Sequence, residues 1–488
     1  MSRALILAAV LASAATPALA RHPLTSVPMP PSPAGTAPQE VLTQPIEAAA
    51  GAQRVMPGTA VSRLWWQAFG NDALNQLVSI GLAHNNDLAA ARANVRQANE
   101  LTRAARGVLF PQIDAGYSVE RQRLSEAMAS PVSDPNASLF SLHTAQVSIG
   151  YSLDFYGNAA RIRSAKAAAR ATAARAEGVE TMVAANIILA VIQNAGLDAQ
   201  ANAARLSIES NREILRLLKV RQSLGAVGAA DIAAQETALA ASEGVLPSIE
   251  RARLDNLAAL NVLLGQAPGT ALPPLPSLED LQLPDQLPLS LPSELLAERP
   301  DVKAAAAAME GASADVDAAL AARLPSLTLA AAQGGIAPDF ATLFKNGNPF
   351  WTILGSITAP LFHGGQLRHR HHAAEAALDV AKAQYRGIAL QAFADVSNAL
   401  TALATDASAL DAASRADRSA QTSLGFVTRQ LELGSVGTYA VLNAKAAAQI
   451  ARSQWITARM MRLSDSVGLF TALGGNVAST PPSMPAKS

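Results

Sequence analysis

The chain has no cysteine among its 488 residues. That excludes a disulfide framework, a thiolate metal site, a cysteine nucleophile and an acyl-cysteine lipid anchor. Aromatic residues make up only 4 % and charged residues 16 %, so neither a large aromatic core nor a heavily charged surface is available. Lys and Arg balance Asp and Glu at 38 each, which argues against nucleic-acid binding, because that needs a basic surface to displace counterions. GxSxG, HExxH, GxxxxGK[ST] and GxGxxG motifs are all missing, and helix acids such as Asp198, Glu209 and Glu213 lie among Arg and Lys as a solvated face does. An enzyme is not expected, nor a cofactor or a resident metal.

About a fifth of the chain is alanine, which suits close packing of helices rather than a bulky globular core. Arg3, the apolar run from Ala4 to Ala15 and the small residues of Ala18-Leu19-Ala20 read as a signal peptide over 1–20, with Arg21 as the mature start. Beyond it, no stretch is expected to stay apolar for the ~18 residues a membrane helix needs. A mature chain that spans a membrane would then do so with strands.

Residues 22–57 carry eight prolines and no hydrophobic period, so an extended arm is expected over 21–62. A second Pro-rich stretch over 268–298 divides two repeats, 63–267 and 299–476, and 477–488 reads as a disordered tail. The duplication shows in matching segments. Asn86-Asp87-Leu88 answers Pro300-Asp301-Val302, and Leu109-Phe110-Pro111 answers Arg323-Leu324-Pro325, both 214 residues apart. Leu224-Gly225-Ala226-Val227-Gly228 answers Leu433-Gly434-Ser435-Val436-Gly437, and Leu264-Gly265 answers Leu473-Gly474.

Each half reads as helix, two strands, very long helix, turn, helix. Residues 112–124 and 143–156 alternate with a period of two, apolar at Ile113, Tyr117, Val147, Ile149 and Tyr151 and polar between them. Segments 326–337 and 349–362 form the second pair. Residues 158–221 then run without proline, enough for a helix of about 96 Å, and 365–431 is its twin. The returning helices, 230–264 and 439–473, span about 52 Å each.

Four amphipathic strands cannot close a membrane barrel, because such barrels begin at about eight strands and an open edge in lipid leaves backbone groups unpaired. Several copies are required, and three copies, with twelve strands, leave a passage where eight are filled by side chains. Tyr117, Tyr151, Tyr156 and Trp351 are candidate membrane-interface aromatics. The fold class is mainly α with a small β part.

These features together resemble the outer-membrane efflux proteins, the TolC-like factors, over nearly the whole mature chain. Residues 63–74, RLWWQAFGNDAL, resemble the WWxxFxDPxL opening of the NodT branch, which serves tripartite resistance-nodulation-division (RND) pumps. The resemblance implies a homotrimer in the outer membrane of a Gram-negative bacterium: a twelve-strand β-barrel continued by a helical tunnel into the periplasm, docked on an adaptor and an inner-membrane RND transporter. It implies export of drugs or other small toxic compounds.

It also places the tips Leu224, Gly225, Val227, Gly228, Leu433, Gly434, Val436 and Gly437 at the adaptor, and Asp231, Ala440 and Asn443 at the tunnel entrance. Asp231 reads first as a helix cap, and Ala440 and Asn443 stand where many relatives have carboxylates. Members of the branch often carry a lipobox cysteine, absent here, so the arm is expected to hold by packing alone. Two other readings stand beside efflux: a type I protein-secretion channel, and a periplasmic coiled-coil scaffold that never inserts.

His363, His369, His371 and His372 cluster with Arg368 and Arg370. His369 and His372 are three apart, a spacing able to share a metal, but no carboxylate is read as completing the set. A basic belt is the preferred reading.

Overall fold

The computed structural model describes residues 53–57, 61–62, 64–123, 139–289, 297–345 and 347–475. The expected signal peptide, most of the arm and the tail lie outside them. The elements are β1 (Arg54–Pro57), a 3-10 turn (Trp65–Phe69), α1 (Asp72–His84), α2 (Asn86–Gly107), β2 (Gln112–Arg123), β3 (Leu139–Leu153), α3 (Phe155–Ser223) and α4 (Ala229–Leu263). After β4 (Gln286–Leu289) and α5 (Pro300–Ala321) come β5 (Ser326–Ala337), β6 (Pro349–Thr358), α6 (Gln366–Glu432) and α7 (Thr438–Ala472). The chain divides into two compact units.

One unit gathers Arg96–Ala171 and Ala306–Gln384. Its four-stranded sheet runs in the order β2-β3-β5-β6, all neighbours antiparallel. Beside it the helices meet through small residues: Ala160, Ala167, Ala307 and Ala314 are buried, and a Cβ on Gly311 would lie 3.5 Å from that of Ala167. Close approach of that kind is what the alanine content permits. Arg163 pairs with Asp317 at 2.5 Å and Arg170 with Glu310 at 2.7 Å, joining α3 to α5.

Strand ends follow local chemistry. β3 stops at Leu153 because Asp154 caps α3, its Oδ1 accepting the Gly157 N–H at 2.8 Å. Tyr156 therefore lies in the helix rather than in a strand reaching 156. β6 stops at Thr358, two residues before Pro360, which cannot donate to a ladder.

The other unit holds the described residues up to Val95, Thr172–Ala305 and those from Tyr385 onward. Its core joins the 3-10 turn and α1 to α3, α4, α6 and α7 through residues such as Leu74, Leu77, Ile187, Ile192, Leu260, Leu403, Leu463 and Val467. Trp65, 1 % exposed, stacks on Phe470 at 5.2 Å, with Trp66 edge-on to it at 6.0 Å. The double-tryptophan segment is thus a packing anchor. Asn71 starts α1 by accepting the Leu74 N–H at 2.9 Å.

Two expectations need correction here. The arm does not hold by packing alone: β1 pairs in parallel with β4, and buried Gln53 donates to the Pro284 carbonyl at 3.0 Å and to Ser466 Oγ at 3.3 Å. Backbone bonds tie it to the inter-repeat linker. Nor is the mature chain without a long apolar stretch, since an 18-residue window within Tyr156–Ser223 reaches a mean hydropathy of 1.4. That stretch is mostly buried, with Val183, Ile187, Ile188 and Val191 in the core, so it reads as a core helix by packing rather than as a span.

Candidate functional site

The sheet is one candidate functional surface. Its register aligns odd-numbered residues across all four strands: Ile113, Ile149, Ala331 and Ile353 form one row, and Ala115, Val147, Gln333 and Trp351 the next. With Tyr151, Leu327, Leu329 and Ile357 they make one apolar face, much of it exposed, Trp351 at 74 %. Among the described residues only Gln333 interrupts its middle.

Even-numbered residues form the opposite face. On β2 and β3 it is polar, through Gln112, Asp114, Ser118, Gln146, Ser148 and Ser152, while on β5 and β6 it is mostly small or apolar, as at Ala330, Ala332 and Leu354. The two repeats have diverged on this face, and at Gln333 on the other. Such a sheet has one surface suited to hydrocarbon and one, at least over the first repeat, suited to water.

The aromatics lie toward the two ends. Tyr117 donates to or accepts from His143 Nδ1 at 2.7 Å and packs edge-on to Phe340 at 5.7 Å, near the connections away from the helices. Tyr151 donates to the Leu109 carbonyl at 3.2 Å, where the helices attach. Their rows are six residues apart, about 20 Å along a strand. Trp351 is in β6, one row inside that of Tyr117.

The helical tips, in the other unit, are a separate candidate surface. At the end of α3, Gly225 has φ 73°, and the Ala226 N–H donates to the Arg221 carbonyl at 2.8 Å. At the end of α6, Gly434 has φ 76°, with Ser435 N–H on the Gln430 carbonyl at 2.9 Å. Both are left-handed turns that favour glycine. Gly228 and Gly437 then precede α4 and α7 in extended backbone. Leu224 and Leu433 stand 78 % and 70 % exposed, an apolar pair carried outward on the turns, whereas Val227 and Val436 are partly covered.

Asp231 Oδ2 accepts the Gly228 N–H at 3.1 Å, so its carboxylate caps the start of α4 from inside the first turn. Ala440 occupies the equivalent place in α7, donating its N–H to the Gly437 carbonyl at 3.1 Å. Asn443 is exposed one turn on. The first tip therefore offers a carboxylate where the second has none.

Sequence reading missed a polar layer between α6 and α7, because a single Arg on a helix face looks solvated. Arg462 is fully buried and donates to the Leu403 carbonyl. Burial lowers its pKa to about 10, against the pull of Asp406 and Asp465. Asp406 is raised to about 7 by burial first and then by the Asp465 carboxyl, with Arg462 opposing. On α7, Lys445 donates to Ser210 of α3, and burial lowers it to about 8. It borders a groove of about 640 Å³ with Asp198, Asn202, Asp417 and Arg452.

The histidine segment also needs correction. A carboxylate does complete it: Glu375, one turn along α6, lies 2.9 Å from His372 Nδ1 and 3.7 Å from His371 Nδ1. His369 instead lies against Gly365, and a Cβ there would meet its ring at 3.4 Å.

An amphipathic sheet joined to paired long helices, with each hairpin closed by a glycine turn, defines an outer-membrane channel protein of the TolC type. Comparison with known proteins agrees. The chain belongs to the outer membrane efflux protein family, whose model matches residues 77–266 and 291–475. It is 32 % identical over 415 residues to the pyoverdine export outer membrane protein OpmQ of Pseudomonas putida, covering 84 % of this chain and 87 % of that one.

The toluene efflux pump outer membrane protein TtgF of P. putida is 30 % identical over 433 residues, covering 87 % and 88 %. Among solved structures, the outer membrane protein VceC of Vibrio cholerae matches with a TM-score of 0.76 at 25 % identity, over 86 % of this chain and all of that one. The outer-membrane channel OprN shares the fold, with a TM-score of 0.78 at 23 % identity over 86 % and 93 %.

Proposed function

We propose that three copies of this chain form the outer-membrane conduit of a tripartite efflux pump, with a periplasmic adaptor and an inner-membrane RND transporter, and export small toxic compounds. The sheet carries this reading. Among the described residues β2 and β6 each present an edge with no further strand, and most of the apolar face is exposed. An isolated sheet of that kind in lipid leaves a row of backbone donors and acceptors unpaired at each edge. Joining β2 of one copy to β6 of the next satisfies both edges, and twelve strands leave a lumen.

The apolar face then meets lipid and the polar residues of β2 and β3 line the passage. The exposed leucines of the two tips form the adaptor surface, with Val227, Val436 and the tip glycines setting its shape. Asp231, in three copies, supplies the charge at the entrance while Ala440 and Asn443 leave it weakly acidic. No catalytic group is assigned. Domain limits follow the repeats, 63–267 and 299–476, with β1 of the arm paired to β4 of the linker between them.

Small organic cargo, rather than secreted protein, is supported by the pyoverdine and toluene export named for the relatives. Native mass spectrometry of detergent-extracted outer membranes tests the assembly, the expected mass being that of three chains. Deleting the gene tests the cargo: the expected result is lost tolerance to antibiotics, dyes or solvents, restored by the wild-type gene. A strain that keeps its tolerance and loses an exported protein would support the secretion channel, and protein released by carbonate wash the scaffold.

A further inference from the structure

The first three turns of α6 hold a convergence that efflux does not use. His371 and His372 are adjacent, and one ligand atom from each lies within 4.8 Å of the others and of a Glu375 carboxylate oxygen. In both rings it is Nδ1 that faces Glu375, at 3.7 Å from His371 and 2.9 Å from His372. The His371 side chain is only 14 % exposed, so its ring is held by packing. The two rings stand 6.0 Å apart at 62°, and one carboxylate sits against both.

We propose that His371, His372 and Glu375 form a binding site for a divalent transition-metal ion of the zinc, nickel, cobalt or copper class. Two imidazole nitrogens and a carboxylate oxygen are a donor set for those ions and not for calcium or magnesium, which take oxygen ligands. Bond lengths of about 2.0–2.2 Å require the three atoms to draw together by small side-chain rotations. All three donors come from one helix, so water fills the remaining positions and the ion exchanges with solvent.

One neighbour sets the affinity. Arg368 Nε donates to His372 Nε2 at 3.4 Å, which fixes the proton of a neutral His372 on Nδ1, the atom the metal needs. Metal binding moves that proton to Nε2 and turns Arg368 out to solvent. Arg368 therefore opposes the ion both by charge and by tautomer. Arg370 is exposed on the same turn, and His369 lies against Gly365 and takes no part.

The reading that competes is a pair of helix-surface hydrogen bonds at i,i+3 and i,i+4 with no ion. The test uses full-length, untagged protein in detergent, titrated with Zn²⁺ against a chromophoric chelator and with Cu²⁺ by electron paramagnetic resonance. The expected result is one ion per chain with two nitrogen couplings, lost in His371→Ala/His372→Ala and weakened at least tenfold in Glu375→Gln. Arg368→Gln is expected to tighten binding several-fold, which no merely structural role predicts, and His369→Ala to leave it unchanged. Binding that persists in the double-alanine variant, or that Arg368→Gln fails to strengthen, overturns the site.

Discussion

Asp406 shows what burying a polar layer between two helices costs. Its carboxyl titrates at about 7 in the fold against 3.8 in the free residue, so between those values the folded chain binds more protons than the unfolded one. Stability from this group is therefore present at low pH and falls as pH rises through about 4 to 7. Asp406→Asn keeps the shape and removes the charge. The variant and wild type are expected to melt alike only below about pH 4, where the carboxyl is protonated in both states. By pH 8 the variant should be favoured by about 1 kcal/mol, a figure discounted because the carboxyl is partly solvated. Circular dichroism melts of detergent-solubilised protein at the two pH values read this directly, and equal midpoints at pH 8 would contradict it.

Elements explain why some of the structure could be read in the chain. A strand with one face in each medium writes its register into the sequence as parity, so Ile113, Tyr117, Val147 and Ile149 declared a common face before any pairing was known. Turns declared themselves through glycine. What parity and glycine cannot encode is contact between distant segments: the pairing of β1 with β4, the burial of Arg462, or which atoms of His371 and His372 meet Glu375. Alternation alone carries β3 to 156, because Leu153 and Phe155 keep the period of two across the Asp154 cap.

The tips give the element-scale prediction. A β-branched residue at φ near 75° is strained, costing about 1–2 kcal/mol, so Gly225→Val and Gly434→Val are each expected to fray the ends of their hairpins while the melting point of the core stays put. Hydrogen exchange should rise over 220–235 in the first variant and 430–443 in the second. If the tips dock an adaptor, tolerance to exported compounds should fall in both. Unchanged exchange would show that the turns tolerate the side chain.

At the scale of the whole molecule the argument rests on two faces of one sheet meeting two solvents. Ile353 and Ser148 are in neighbouring rows near the middle of the strands, on opposite faces. Arginine on a lipid-facing strand near the bilayer midplane costs about 2–4 kcal/mol, and a trimer carries that cost in each copy. Ile353→Arg is thus expected to reduce the heat-resistant trimer recovered from outer membranes several-fold. Ser148→Arg should assemble like the wild type and instead move the reversal potential toward anions, as a charge in a wet passage does. Gln333→Leu, which completes the apolar face, is expected to assemble at least as well as the wild type. If Ser148→Arg fails to assemble while Ile353→Arg inserts, the faces are assigned the wrong way round, and the lumen lies on the side of Trp351.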